Sequence, residues 1–324
     1  MEILVCGGAG YIGSHMVHYL TANGHRPTVF DNLSTGHRDA VKGEELIIGD
    51  LQDQTALKKL FSSHHFDAVM HFCARSLVGE SVSDPYLYYR SNVIGTLNLL
   101  DAMQKANVDQ LVFSSTAAIF GNPQTMPIDE DHPTRPINPY GASKLMVERI
   151  LSDAANAYGL RSVALRYFNA AGADADAGLG EAHEPETHLI PNILRSAISK
   201  ESRLKVFGSD YPTHDGTCVR DYIHVYDLAS AHLKALEFMS RNNGAHAFNL
   251  GNGQGFTVLE VIEAARHVTG LPIEYEKAQR RDGDPAILVA SSEKARRLLG
   301  WTPAYNSIPP IIESAWLWHR QKRH

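Results

Sequence analysis

Apolar and polar positions alternate on two scales in the first half of the chain. Short runs rich in Val, Ile, Leu and Phe are separated by longer stretches with helical spacing, which is typical of βαβ units and a parallel sheet. Each short run is apolar enough for burial on both faces, as in a sheet covered by helices. The pattern predicts six strands, at residues 3–6, 27–31, 45–49, 68–72, 110–114 and 162–167.

Three helix starts are marked in the sequence. Asp53 stands where a side chain can accept hydrogen bonds from the first free N–H groups of a helix. Asp84 and Asn138 are each followed by proline, which is favoured at the first helical position because no hydrogen-bonding N–H is needed there. We therefore expect helices to begin directly after these three residues.

The regular alternation weakens beyond residue 168. Residues 170–188 are rich in Ala, Gly, Asp and Glu, and two further helical segments follow, with short strands at residues 222–225 and 247–250. We predict an α/β fold, with a Rossmann-type doubly wound parallel sheet in residues 1–168 and a second, smaller substrate-binding domain in residues 169–324. Segments near residues 222–251 are expected to return to the first domain.

The composition of the 324 residues argues against several classes of protein. A formal charge of −6 and a pI near 6.3 leave no basic surface for nucleic acid, and the basic residues 319–324 are expected to form a solvated tail. No apolar run approaches the roughly 20 residues of a membrane span, and no export signal is visible. Three scattered cysteines favour a reduced, cytoplasmic protein without disulfides.

A glycine-rich turn separates the first predicted strand from a helical stretch. Glycines stand at positions 7, 8, 10 and 13. A tight turn, a close backbone approach and an intimate helix contact each require a missing Cβ, and the helix N-terminus offers free N–H groups to a pyrophosphate. An ordinary glycine loop is the alternative, but the strand, the helix and an acidic residue further on favour a dinucleotide site.

That acidic residue is Asp31, at the end of the second predicted strand. Its carboxylate can accept hydrogen bonds from ribose hydroxyls and would repel a 2′-phosphate, so NAD is favoured over NADP, although Arg38 is close enough to neutralise some charge. Asp50 and Leu51 follow the third strand. Asp50 either borders the adenine or is an ordinary capping or loop acid, and the sequence favours neither interpretation.

A second group of residues suggests acid–base chemistry. Tyr140 and Lys144 are four residues apart on one face of the helix that begins after Asn138. The helix N-terminus, the ammonium group and a positive nicotinamide ring should all lower the pKa of the Tyr140 phenol and make it a base. Thr116, at the end of a buried strand, is the candidate to share the substrate's proton, unless its hydroxyl only caps a turn.

With these motifs the chain resembles the extended short-chain dehydrogenase/reductase family. Its glycine turn and the Tyr140-x-x-x-Lys144 pair identify that superfamily, and Phe168-Asn169 and Arg220-Asp221 resemble the narrower UDP-glucose 4-epimerase family. Further segments that resemble this family are residues 31–33, 71–72, 78–81, 92–96, 165–169, 219–225 and 281–284.

The resemblance implies NAD-dependent interconversion of UDP-glucose and UDP-galactose, by inversion at sugar C4 through a transient 4-keto sugar. Tyr140 would be the base, Lys144 would hold the nicotinamide ribose and Thr116 would bond the 4-oxygen. A homodimer joined by the helices near Asp84 and Asn138 is also implied.

Two sets of contacts follow from the resemblance. NAD contacts are expected at Gly7, Gly10, Tyr11, Ile12, Gly13, Asp31, Asn32, Asp50, Leu51, Phe72, Cys73, Ala74, Asn92, Ser114, Tyr140, Lys144 and Tyr167. Substrate contacts are expected at Thr116, Tyr140, Phe168, Asn169, Leu189, Arg220, Arg281, Asp284 and Leu288.

The chain departs from the family pattern at a few positions. Ser76 stands where lysine often contacts the coenzyme, and Ser291 where aspartate is common, which bears on cofactor affinity. His188 stands where asparagine is frequent. Leu288 matches a gate position at which tyrosine restricts the pocket and a small residue admits N-acetyl sugars, so we expect limited action on acetamido substrates.

Other functions remain open on the sequence. A related epimerase acting on UDP-N-acetylhexosamines or UDP-pentoses, or a non-catalytic NAD-binding regulator, would share most motifs. A dehydratase would carry an acid after the threonine, where Ala117 and Ala118 stand here. No metal is expected, because His15 and His18 are accompanied by no metal-binding motif.

Overall fold

A computed structural model describes residues 1–199, 203–281 and 284–321. Asp282 and Gly283, and the last three residues of the predicted basic tail, lie outside the described residues. The strands are β1 (Glu2–Cys6), β2 (Arg26–Asp31), β3 (Glu45–Ile48), β4 (Ala68–His71), β5 (Gln110–Thr116), β6 (Arg161–Tyr167), β7 (Asn169–Ala171), β8 (Leu204–Phe207), β9 (Val219–His224), β10 (Ala245–Leu250), β11 (Gly255–Thr257), β12 (Tyr275–Ala278) and β13 (Ile287–Leu288).

The helices alternate with the strands of the first half, as the sequence predicts. They are α1 (Tyr11–Ala22), α2 (Gln54–Ser63), α3 (Val78–Ser83), α4 (Pro85–Tyr88), α5 (Gly95–Lys105), α6 (Pro139–Tyr158), α7 (Leu189–Ile198), α8 (Val225–Met239), α9 (Val258–Thr269), α10 (Glu293–Leu299) and α11 (Ile308–Gln321). Single turns of 3₁₀ helix cover Arg38–Ala40 and Ala117–Phe120, and a π-helical turn covers Tyr89–Ile94.

A parallel sheet is the centre of the molecule. Within the described residues it has seven strands in the order β10-β6-β5-β4-β1-β2-β3. All six strands predicted for the first half are present, and β10 pairs with β6 at the end of the same sheet. The strand order reverses beside β1, which lies between β2 and β4, so the crevice at the carboxyl ends of these strands is where such a sheet binds ligands.

Helices cover both faces of this sheet because side chains along each strand alternate in direction. Ile3 and Val5 of β1 pack in one core with apolar residues of α1 and α8. Leu4 and Cys6 point to the opposite face and pack in another core with residues of α2, α5 and α6. The predicted doubly wound Rossmann-type fold is thereby confirmed.

The second half builds a separate apolar core. Residues of α7, α9 and α11 pack around β9, which pairs with β7, β11 and β13 in a smaller sheet, and β8 pairs with β12. The strand predicted at residues 222–225 lies here and not in the main sheet, and its last residue begins α8. The division of the chain at residue 168 stays a prediction. Among the described residues, no helix is both long and apolar enough to cross a membrane.

Candidate active site

The glycine turn leaves a cradle that a side chain would fill. Gly7 has a positive φ of 82°, and a Cβ there would lie 2.7 Å from the backbone nitrogen of Cys73. A Cβ on Gly13 would lie 2.1 Å from the Gly7 carbonyl oxygen. Gly10 caps α1, whose first residues are Tyr11 and Ile12. Backbone N–H groups at this helix start can therefore approach a pyrophosphate closely.

Asp31 fastens the glycine turn to the end of β2. Its buried carboxylate accepts hydrogen bonds from the backbone N–H of Ala9 at 2.9 Å and of Leu33 at 2.8 Å. Each oxygen uses one of its two lone pairs in this way and keeps the other for a ribose hydroxyl. The geometry thus fits the role predicted for Asp31.

Asp50 behaves as a loop acid beside the same crevice. One carboxylate oxygen accepts from Asn32 Nδ2 at 2.7 Å and the other from the backbone N–H of Gln52 at 2.8 Å. The cap of α2 is Asp53, whose side chain accepts from the second and third N–H groups of the helix. The neighbouring Leu51 is buried, and its carbonyl accepts from Asn98 Nδ2 at 3.0 Å. Asn32 and Asp50 therefore form one polar pair at the sheet edge.

The loop after β4 is tied to α6 by Asn92. Asn92 Oδ1 accepts from the Arg75 N–H at 2.8 Å, while Nδ2 donates to the Arg75 carbonyl at 3.0 Å and to Ser143 Oγ at 3.0 Å. This places the predicted cofactor contacts Phe72, Cys73 and Ala74 between the glycine turn and the helix that carries Tyr140.

The cysteines near this loop fit the predicted role of small buried residues. β1 and β4 are neighbours, so Cys6 and Cys73 lie close together, as expected. Burial raises the pKa of both thiols. All three cysteines lie within the described residues, and each has a free thiol.

The predicted catalytic residues meet where β5 ends and α6 begins. Asn138 caps α6 by accepting from the Gly141 N–H at 2.8 Å. Tyr140 therefore lies in the first turn, with its phenol close to the Thr116 hydroxyl. Thr116 also accepts from the Ala118 N–H at 3.1 Å, so the alternative role as a turn cap applies to it as well.

Lys144 lies one turn further along α6 and is fully buried. Its ammonium group donates to the Ser114 carbonyl at 2.8 Å and stands 4.8 Å from the centre of the Phe113 ring. The Ser114 hydroxyl is hydrogen bonded to the Tyr167 phenol. The predicted cofactor contacts Ser114, Lys144 and Tyr167 are thus joined in one network.

The pKa of Tyr140 differs from the sequence-based expectation. Burial raises the pKa of the Tyr140 phenol, and the Thr116 hydroxyl nearby only partly opposes this rise. Burial also lowers the pKa of Lys144 to about 7, which removes much of its charge at neutral pH. The expectation of a lowered Tyr140 pKa is therefore wrong when only the groups of the protein act on the phenol.

The predicted substrate contacts gather along β9. Asn169 pairs with Tyr222 in the β7–β9 register, and its Nδ2 donates to the Asp221 carbonyl at 3.0 Å. Leu288 of β13 pairs with Arg220 of β9. Phe168 and Leu288 both pack on the small apolar cluster of residues 117, 119, 120 and 128, which directly follows Thr116. Leu288, at the predicted gate position, therefore packs on the cluster that begins directly after Thr116.

The two predicted phosphate-binding arginines are held differently. Arg220 forms an ion pair with Asp284 and donates to the Val219 carbonyl at 2.7 Å. Arg281 is exposed and lies with its guanidinium carbon 4.1 Å from the centre of the Phe207 ring. Leu189 begins α7 and packs on the second core.

Sequence reasoning missed a buried polar link behind the catalytic residues. Ser115 Oγ donates to Glu148 Oε1 at 2.5 Å, and Glu148 forms a two-pronged ion pair with Arg166. Glu148 is 33 positions from Ser115 and 18 positions from Arg166 along the chain. No local motif joins them, so only the packing of β5, β6 and α6 reveals the link.

Residues 3–251 match the family model described as "NAD dependent epimerase/dehydratase family". The chain belongs to this family. Within it, the chain is 52% identical to the UDP-glucose 4-epimerase of Halalkalibacterium halodurans, over 100% of this chain and 97% of that protein. It is 51% identical to the UDP-glucose 4-epimerase of Lactobacillus helveticus, over 99% of this chain and 97% of that protein.

Solved structures of this epimerase/dehydratase family share the fold. The UDP-glucose 4-epimerase of Brucella ovis in complex with NAD has a TM-score of 0.94 and 47% identity, covering 97% of both chains. The UDP-glucose-4-epimerase of Stenotrophomonas maltophila, with bound NAD and formylated UDP-arabinopyranose, has a TM-score of 0.95 and 41% identity, covering 99% of this chain and 98% of that one. NAD, the cofactor of the family, fits the glycine cradle and the Asp31 carboxylate.

Proposed function

We propose that this chain interconverts UDP-glucose and UDP-galactose by inverting the configuration at C4 of the sugar. The observation that carries the proposal is the position of the half-buried Tyr140 side chain, whose phenol lies close to the Thr116 hydroxyl at the carboxyl end of the sheet and beside the glycine cradle. A phenol beside a hydroxyl is suited to exchange a proton with a sugar hydroxyl that must lose and regain its own.

Tyr140, Thr116 and Lys144 have separate roles in this reaction. Tyr140 takes the proton of the 4-hydroxyl, and Thr116 bonds the 4-oxygen while the carbon is a ketone. NAD, when bound, would supply the hydride acceptor and donor for C4, and its positive ring would add charge that favours tyrosinate. Lys144, buried beside Ser114, holds the nicotinamide ribose and adds its charge when protonated.

The UDP portion is assigned to the second half of the chain. Arg220 and Arg281 bind the diphosphate, because a guanidinium group makes forked contacts with phosphate oxygens. Asn169 and Leu189 contact the rest of the nucleotide, and Asp284 holds Arg220 in place. Residues 1–168 accordingly form the NAD-binding domain and residues 169–324 the smaller nucleotide-sugar-binding domain.

A direct assay tests the proposal. Purified protein is incubated with UDP-galactose without added coenzyme, and UDP-glucose is expected to form, because the cofactor stays bound between turnovers. Tyr140→Phe should lower kcat by about 100- to 10,000-fold while the protein keeps its fold and its NAD.

The matched control is Tyr158→Phe, which removes an exposed phenol from the other end of α6. This variant should keep full activity. Failure of the NAD-loaded protein to convert UDP-galactose would refute the proposed reaction, and full activity in Tyr140→Phe would refute the choice of base.

A broader substrate range is the second candidate function. A structure titled UDP-Glc/GlcNAc 4-epimerase, from Campylobacter jejuni, is 43% identical to this chain, with a TM-score of 0.85. Leu288, half-buried against the cluster that Phe168 also contacts, limits the space for an acetamido group. UDP-glucose and UDP-galactose are therefore the preferred substrates.

Shortening Leu288 should relax this preference. In Leu288→Ala, the ratio of kcat/KM for UDP-N-acetylglucosamine to that for UDP-glucose is expected to rise about tenfold, because a few methyl groups in a pocket decide factors of this size. Ile287→Ala, on the opposite face of β13, should leave the ratio unchanged. An unchanged ratio in Leu288→Ala would contradict the gate assignment.

A homodimer is part of the proposed function. Large apolar residues are exposed along α3, α4 and the turn after them, with Val82 at 64% and Tyr86 at 71% of their possible exposure. Helix α6 packs beside α3 and α4, and its residue Met146 is also exposed. A second copy of the chain would remove this apolar surface from water. We further infer a cytoplasmic location from the three free cysteines, of which Cys6 and Cys218 are buried.

A further inference from the structure

The segment that joins β7 to α7 brings four metal-binding side chains together. They are Glu181, His183, Glu186 and His188, spaced as Glu-x-His-x-x-Glu-x-His. One nitrogen or oxygen atom from each residue lies within 4.8 Å of those of the other three. This spacing is not a common metal motif, so the sequence alone predicts no metal there.

Glu181 is at the centre of the group. Its Oε1 is 3.0 Å from His183 Nδ1 and is also hydrogen bonded to His188 Nδ1. Both imidazoles thus turn the same nitrogen toward a buried carboxylate. His183 and His188 keep part of their surface in solvent, so their rings can adjust by small rotations.

Glu186 adds a second and independent observation. Its Oε1 accepts from the backbone N–H of Thr187 at 2.9 Å and of His188 at 3.0 Å, which fixes the side chain. The side chain is only 1% exposed, and Oε2 has no hydrogen-bond partner among the described residues. The one ion pair of Oε2 among the described residues is a long one, with Arg195 Nη2 at 3.9 Å. A buried carboxylate oxygen without a donor is costly unless a cation satisfies it.

We propose that these four side chains bind one Zn²⁺ ion. Two imidazole nitrogens and two carboxylate oxygens supply the four ligands of a tetrahedral site, and both are donor types that Zn²⁺ binds in proteins. Mg²⁺ and Ca²⁺ prefer sets made of oxygen alone. In tetrahedral zinc sites neighbouring ligand atoms are roughly 3.3 Å apart, as bond lengths near 2.0 to 2.1 Å dictate. Movements of about 1 Å, within reach of small side-chain rotations, bring the four atoms to that spacing.

The ion would fix the segment between the cofactor and substrate sides of the site. The His183 ring meets the Tyr11 ring edge-on at 6.3 Å, and Tyr11 begins the helix after the glycine turn. His37, in the loop after β2, approaches the Ala182 carbonyl at 2.9 Å. His188 directly precedes Leu189. Zn²⁺ is therefore a structural ion that positions this segment, without contact with the reacting atoms.

Metal binding can be measured without reference to the epimerase reaction. Purified protein is freed of metal with a chelator, dialysed and titrated with ZnCl₂ against a chromophoric zinc chelator. One tightly bound Zn²⁺ per chain is expected, with a rise in the unfolding temperature of the folded protein. Replacement by Co²⁺ should give the intense visible absorption of a tetrahedral site.

Two variants and one control make the result specific. His183→Gln and Glu186→Gln should each weaken Zn²⁺ binding by at least about tenfold and abolish the rise in unfolding temperature. His64→Gln removes a histidine from another His–Glu pair, with Glu45, and should bind Zn²⁺ as the unaltered protein does. If His183→Gln does not fold, Glu186→Gln alone decides. Absence of tight Zn²⁺ binding, or equal binding by all variants, would overturn the proposal.

Discussion

Asp221 is a carboxyl group without any solvent exposure. Its Oδ1 accepts from the Asn252 N–H at 2.8 Å, and Oδ2 accepts from Gly253 and Ala290, both at 3.1 Å. A Cβ on Gly251 would lie 2.4 Å from Oδ2, so glycine is required there. One side chain thus joins β9 to the segments that follow β10 and β13, which hold the predicted substrate contacts in register.

The protonation of Asp221 should appear in the stability of the protein. Burial outweighs the three N–H partners and raises the pKa to about 7. Between pH 4 and pH 7 the folded state keeps a proton that the unfolded chain has lost, so the free energy of unfolding falls as pH rises through this range. Relative to Asp221→Asn, the unaltered protein should lose up to about 4 kcal/mol over that range.

Urea unfolding of both proteins at pH 4, 5.5, 7 and 8 measures this difference. Above pH 7 the difference in the free energy of unfolding between the two proteins should become constant, because the Asp221 carboxyl group is then ionised in both the folded and the unfolded state. A difference that does not change with pH would show that the three N–H groups keep Asp221 ionised throughout.

The helix starts show how element and site are connected. Asn138, two residues before Tyr140, caps α6 by accepting a hydrogen bond from the Gly141 N–H. Asp53 caps α2 in the same manner, by accepting from Thr55 at 2.9 Å and Ala56 at 3.1 Å. Of these two helices, only α6 carries a proposed catalytic residue, Tyr140, in its first turn.

Removal of each cap separates stability from activity. Asn138→Ala and Asp53→Ala should each lower the free energy of unfolding by about 1 kcal/mol, because a free N–H group loses its partner. Only Asn138→Ala should also lower kcat, since the first turn that positions Tyr140 becomes looser. Unfolding curves and kcat values for the two variants test this, and equal kcat losses would contradict it.

The elements were predictable because their signals are local. Alternating apolar runs indicated β1 to β6, and the caps Asp53, Asp84 and Asn138 are confirmed by their hydrogen bonds. The pairing of β9 with β7 was not predictable, because two short strands some 50 residues apart leave no shared pattern in the sequence. The same holds for the Tyr140 pKa, which depends on burial by parts of the chain remote from it.

For the whole molecule, the exposed apolar surface of α3, α4 and α6 predicts self-association. Val82→Glu places a charge in this surface and should convert the dimer to a monomer, measured by analytical ultracentrifugation. Leu298→Glu changes an equally apolar, exposed residue on α10 and should leave the dimer intact. A monomeric unaltered protein, or a dimeric Val82→Glu variant, would contradict the proposed interface.

The position of β10 at the end of the sheet has a consequence for folding during synthesis of the chain. β10 pairs only with β6 in the described part of the chain, although about 80 residues separate them, and the Asn249 N–H donates to Glu130 Oε1 at 2.7 Å. A nascent chain on the ribosome therefore presents the open edge of β6 until residues 245–250 emerge. Unpaired strand edges recruit other chains. Prematurely terminated translation products ending before residue 245 consequently need chaperone protection or rapid degradation.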